Sequence, residues 1–156
     1  MPPLPPRHVP RARLLAALDA AMTHPLTLVA AGPGAGKTVL LSDWARRRDT
    51  APVWLSLDAR DNDVGRFASR LSRAVAAAGV AAPGDRVYLG DGVEDVFAAL
   101  LADRRLRLPL VIVLDDAHVL TNPVLLRAID GWMRRWSAQI RLVLAARSDP
   151  LLLLHR

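Results

Sequence analysis

Three glycines spaced by single residues, Gly32, Gly34 and Gly36, lead directly into Lys37 and Thr38. Glycine permits a backbone path that turns successive N–H groups into one concavity, and such a concavity holds an anion. A helix beginning near Gly36 adds its positive end, a lysine ammonium can reach β- and γ-phosphate oxygens, and a threonine hydroxyl can ligate Mg²⁺. The stretch Gly32, Pro33, Gly34, Ala35, Gly36, Lys37, Thr38 and Val39 is therefore the candidate phosphate-holding segment. The P-loop (Walker A) pattern asks for one further glycine where this chain has Ala31, a small residue that serves at a strand end. Twenty of the 21 basic residues are arginine. The single lysine, Lys37, stands where a compact ammonium fits between phosphate oxygens and a planar guanidinium does not.

A second group lies downstream. Val111 to Leu114 is an apolar run that ends in Asp115 and Asp116, a Walker B pattern. In a P-loop fold the first carboxylate holds Mg²⁺ through its water, and the second orients or deprotonates the attacking water. The bland alternative is that the pair caps the next turn. His118 either senses a γ-phosphate or is a satisfied polar residue of that turn. Arg147 closes the last predicted strand, where its side chain would face the ligand crevice; the competing assignment is a surface arginine.

These groups need a scaffold that brings loop and strand ends together, and the hydrophobic pattern supplies one. Arg11 to Met22 has helical spacing (Leu14, Leu15, Leu18, Met22) and stops at His24-Pro25. Leu26 to Ala31 reads as a strand buried on both faces, followed by the glycine turn and a helix from Lys37 to Arg48. Pro52 to Asp58 reads as a second strand. Asp61-Asn62-Asp63 supplies a turn and N-cap for a helix with Val64, Phe67, Leu71 and Val75 on one face. Residues 79–92 read as a loop, and Val93, Val96, Phe97, Leu100 and Leu101 mark another helix. Leu108 to Leu114 is the most apolar strand. Asn122-Pro123 opens a helix carrying Leu125, Ile129, Trp132, Met133 and Trp136, and Gln139 to Ala146 is a fourth strand. Strands alternating with helices predict a parallel sheet with helices on both faces, which binds ligands at the carboxyl ends of its strands.

Composition agrees with one packed domain: 156 residues, 52% hydrophobic and 23% charged. The reading divides the chain into a Pro-rich leader at 1–10, expected to be a floppy start, and a P-loop domain at 11–156. The absence of cysteine leaves no disulfide framework, and the cytoplasm is the default compartment. The start has no apolar signal region, and the run Leu151 to Leu154 is too short for a bilayer, so no membrane partner is expected. The net charge of +6 raises nucleic acid as a partner. The arginine runs at 46–48, 104–107 and 134–135, however, fall in the last turns of predicted helices, where they offset the macrodipole.

From Val9 onward the chain resembles the ATPase domain of the large LuxR-type transcriptional regulators, the maltose-regulator group of the STAND ATPases. The matching stretches are RARLL (11–15), AGPGAGKT with LLSDWA after it, WLSLDARDND (54–63) with RFASRL, LVIVLDDAHVLTNP (110–123) and LVLAARSDPLLLLHR (142–156). The resemblance implies a three-layer α/β P-loop NTPase, related to the AAA ATPases, with strand order 2-3-4-1. It lacks the fifth strand that normally covers the first, which leaves the first strand an open edge. It implies ATP or ADP with Mg²⁺ as ligands, held by Lys37, Thr38 and Asp115. Asp116 becomes the water-orienting acid, Arg147 the γ-phosphate sensor, and His118 matches a family histidine. Only the resemblance selects adenine and assigns its contact to Val9 and Arg11. It further implies an ATP-binding switch with weak hydrolysis at most, further C-terminal domains in the parent regulator, and self-association in the ATP-bound state. No direct DNA contact is expected from this chain. Two other classes were weighed: a small-molecule P-loop kinase, which needs a lid segment that is not evident, and a nucleic-acid-binding P-loop protein, which needs a reading helix.

Overall fold

The computed structural model describes residues 1–78, 109–135 and 139–147. Their elements are α1 (Ala12–Ala21), β1 (Leu26–Ala30), α2 (Lys37–Arg46), β2 (Val53–Ser56), α3 (Val64–Ala77), β3 (Leu110–Asp115), α4 (Pro123–Arg135) and β4 (Ile140–Ala146). Short 3-10 turns lie at Ala59–Asn62 and Ala117–Val119. The loop expected at 79–92, the helix around Val93 to Leu101, Arg104, Arg105, Arg107, Trp136 and the final stretch from Ser148 lie outside the described residues.

The strands form one parallel sheet in the order β1-β4-β3-β2. This is the expected 2-3-4-1 order read from the opposite edge. Alternation along β3 and β4 divides the core. Leu110, Ile112, Leu114, Ile140, Leu142 and Leu144 pack with Phe67, Leu71, Leu125, Ile129 and Trp132. Val111, Val113, Val143 and Ala145 pack with Leu15, Leu18, Leu41 and Trp44. A two-residue side-chain period thus buries both faces of the central strands, α3 and α4 covering one and α1 and α2 the other. Trp132 stacks against Phe67 at 6.5 Å between ring centroids, a core residue as its helical spacing predicts.

Four expectations change. First, β1 is not buried on both faces: it pairs only with β4 among the described strands, and Leu28 and Ala30 are exposed. Second, β2 ends at Ser56 instead of Asp58, because the Asp58 carboxylate turns to accept the Arg60 N–H at 2.8 Å and caps the following turn. Third, α2 stops at Arg46; Arg47 is its cap, and Arg48 lies over the Trp44 ring at 4.7 Å as a cation–π contact.

Fourth, the leader is packed, not floppy. The carbonyl of Pro2 accepts from Ser42 Oγ and from an Arg46 guanidinium N–H, both at 3.1 Å. His8 Nε2 stands 2.8 Å from Asp43 Oδ2. Leu40 to Ala45 are consecutively buried, more than one helix face can account for. The sheet covers one side of α2 and the leader covers the other.

Candidate functional site

The glycine loop joins β1 to α2 at the carboxyl edge of the sheet. Gly34 (φ 74°) and Gly36 (φ 81°) both take left-handed backbone, which glycine adopts without the steric cost other residues meet. Gly36 is the N-cap of α2 and has no side chain to fill the orphan N–H positions, so the helix start is open to an anion. Lys37 folds back, its ammonium donating to the carbonyls of Ala31 (2.6 Å) and Gly32 (2.9 Å). Gly32, Pro33 and Gly34 are exposed, and Ala35, Thr38 and Val39 are half-buried.

The two chemical groups of the sequence meet here. Thr38 Oγ1 donates to Asp115 Oδ1 at 3.1 Å across 77 residues of chain. Asp115 is buried, 3% exposed, and the backbone N–H of Asp116 also donates to its Oδ1 at 3.1 Å. Burial pushes the Asp115 carboxyl above the usual range, and the neighbouring Asp116 charge adds to this. The Thr38 and Asp116 hydrogen bonds and the Lys37 charge pull the other way without reversing it. Such a carboxylate suits a divalent cation, which would offset its desolvation. Among the described residues no three His, Cys, Asp or Glu side chains form a metal cluster. Thr38 and Asp115 are the residues here that could hold such a cation.

Asp116 has φ 58° and is the one non-glycine residue with positive φ among those described. This strained backbone sits at a strand end beside the loop, a common location for functional strain. His118 Nδ1 lies 3.8 Å from Asp116 Oδ1, too long for a hydrogen bond, and the nitrogen is buried without a hydrogen-bond partner among the described residues. Arg147 is exposed and follows Ala146, whose carbonyl accepts the Ala31 N–H at 3.3 Å. It thus stands at the root of the loop. Arg11 donates to the Ala35 carbonyl at 3.0 Å, reaching the crown of the loop, and Val9 beside it is 77% exposed.

No family model matches the chain. Over 153 residues, 92% of this chain, it is 38% identical to the HTH-type transcriptional regulator MalT of Cronobacter sakazakii. It is 37% identical over 154 residues to MalT of Klebsiella pneumoniae. The resemblance to the large LuxR-type regulators stands. The chain spans 16% of the length of these MalT proteins. The crystal structure of Cdc6p from Pyrobaculum aerophilum matches 93% of this chain and 42% of its own with a TM-score of 0.59. At 22% identity that likeness concerns the fold. The chain is thus similar in sequence to one part of the MalT regulators and in fold to Cdc6p, and no described helix is long and apolar enough to cross a membrane.

Sequence reasoning missed three groups. Asp61, fully buried, receives Arg66 and Arg70 and stiffens the start of α3. Asn62 joins its own turn to residues 119–122 beyond the acidic pair. The His8–Asp43 contact binds the leader to α2. The DND run signalled a cap, but the partners of Asp61 and Asn62 are set by tertiary proximity.

Proposed function

We propose that this chain is the ATP- and ADP-binding switch module of a signal-transducing transcriptional regulator, with weak ATP hydrolysis at most. The contact of Thr38 with Asp115 carries the reading. A hydroxyl at the start of a helix donates to a buried carboxylate at a strand end, directly behind a loop with left-handed glycines. Packing alone would not select a buried acid with a raised pKa at that point.

In this account the loop N–H groups and the α2 terminus hold the phosphates. Lys37 exchanges its two loop carbonyls for β- and γ-phosphate oxygens. Thr38 and Asp115 hold Mg²⁺, which would supply charge neutralisation between the phosphates. Asp116 orients the attacking water, Arg147 answers to the γ-phosphate from the end of β4, and His118 lies close enough to Asp116 to follow its state. Val9 and Arg11 contact the adenine side. A carboxylate on the short aspartate stem at the water-orienting position suits slow hydrolysis, so the bound nucleotide acts as a state marker that the rest of the regulator reads.

The test is titration of ATP, ADP and GTP with and without Mg²⁺, with turnover followed in parallel. ATP and ADP should bind, ATP more tightly with Mg²⁺, and turnover should be slow. Equal affinity for GTP would remove the adenine assignment, and a folded chain that binds none of the three contradicts the whole reading.

A further inference from the structure

The leader is fastened at both ends. Pro2 is held near the carboxyl end of α2 by Ser42 and Arg46, while Arg11 is held at the loop crown by the Ala35 carbonyl. Between them His8 reaches Asp43. The His8 and Asp43 side chains are only 14% and 6% exposed. The contact is short and sheltered, and it is an ion pair only when the imidazole is protonated. The other Asp43 oxygen accepts from Arg47 Nε at 2.9 Å, and among the described residues Oδ2 otherwise has only an Arg47 N–H at 3.4 Å. Arg47 already compensates Asp43, and His8 supplies the short contact to Oδ2, whose loss would leave that oxygen of a buried carboxylate with the long Arg47 contact. The Arg47 and His8 contacts together hold Asp43 below the usual carboxylate range.

Val9 stands between the two anchored residues, His8 and Arg11, and its apolar side chain is 77% exposed. We propose that His8 is a positioning residue for the nucleotide base: its contact with Asp43 clamps the leader along α2 and so fixes Val9 and Arg11 at the mouth of the glycine loop. This rests on the nucleotide reading above and adds to it what holds the base-contacting residues in place. The phosphate site is made by the loop and α2 without His8, so the clamp affects only the part of the ligand beyond the phosphates. When His8 is removed, the leader spends part of its time undocked, and apparent affinity falls by the fraction that remains docked.

ATP and inorganic tripolyphosphate separate the two parts of the site. His8→Ala lies outside both core clusters, so the variant folds. It should bind ATP roughly 5- to 30-fold more weakly, the scale on which loss of one buried contact moves an equilibrium. Its tripolyphosphate affinity should not change. Asp43→Ala removes the same contact from the other side, together with the Arg47 pair, and the His8→Ala and Asp43→Ala losses should be non-additive for ATP. An unchanged ratio of ATP to tripolyphosphate affinity in His8→Ala overturns the proposal, whether both affinities hold or both fall. So does a wild-type chain that binds the two equally, since the leader then meets no base. A folded wild-type chain that binds neither ligand instead overturns the nucleotide reading itself.

Discussion

Replacing Asn62 by alanine tests whether the loop that follows the acidic pair is held from the far edge of the sheet. The Asn62 side chain makes four main-chain hydrogen bonds. Its Oδ1 accepts from the N–H groups of Thr121 (2.7 Å) and Asn122 (2.8 Å), and its Nδ2 donates to the carbonyls of Val119 (2.9 Å) and Ala59 (3.0 Å). The Thr121 and Ala59 bonds are exposed, and water replaces them at little loss. The Asn122 and Val119 bonds are partly buried and carry the effect. At about 0.5–1.5 kcal/mol net for each, Asn62→Ala should destabilise the fold by about 1–3 kcal/mol. Urea unfolding should show a lower midpoint with an unchanged slope, because the buried surface stays the same. Amide exchange should speed up first at Thr121 and Asn122. Asn62→Asp keeps both acceptor bonds, loses both donor bonds and adds charge beside Asp61 and Asp63, so protection at Thr121 and Asn122 should survive there. An Asn62→Ala midpoint equal to wild type, or exchange that rises evenly across the chain, refutes the argument.

Asp115→Asn should stabilise the ligand-free chain at neutral pH while removing Mg²⁺-dependent nucleotide binding. Because the folded carboxyl lies above its ordinary value, its charge is a cost in full above the folded pKa. That cost is relieved as pH falls from the folded value toward the ordinary carboxylate range, so the advantage of the variant should shrink on acidification; a variant less stable than wild type at pH 7 contradicts it. Gly36→Ala should lose about 1–2 kcal/mol for a β-carbon in left-handed backbone, while the added carbon would meet the Arg11 guanidinium only at an ordinary contact distance of 3.4 Å. Gly131→Ala in α4, where an added β-carbon meets nothing within 4 Å, should instead gain roughly 0.5–1 kcal/mol. Denaturant curves that do not separate these two glycines would remove the conformational argument at position 36.

The residues easiest to read in the sequence were those whose chemistry dictates both type and spacing. The glycine loop with Lys37 and Thr38, and the apolar run ending in Asp115, could be paired before any fold was drawn, and Thr38 does meet Asp115. The period of two along β3 and β4 and the stripe through Phe67, Leu71 and Val75 likewise follow from local geometry. What stayed hidden depends on contacts distant in sequence. Proline-rich composition says nothing of a carboxylate at position 43 that gives His8 a partner. The exposure of Leu28 and Ala30 is hidden in residues as apolar as those of a central strand, although the resemblance did place β1 at the sheet edge. Lys37 is legible by its reach to phosphates, but nothing in the sequence shows that its ammonium donates to the Ala31 and Gly32 carbonyls.

The most direct measurement is calorimetric titration of MgATP into the wild-type chain and into Lys37→Ala. The account predicts saturable binding to the wild type, with a melting temperature that rises with ligand concentration, and loss of both in a variant that remains folded. Equal ATP affinity in the two proteins would contradict it, since the glycine loop would then not be where the phosphates sit.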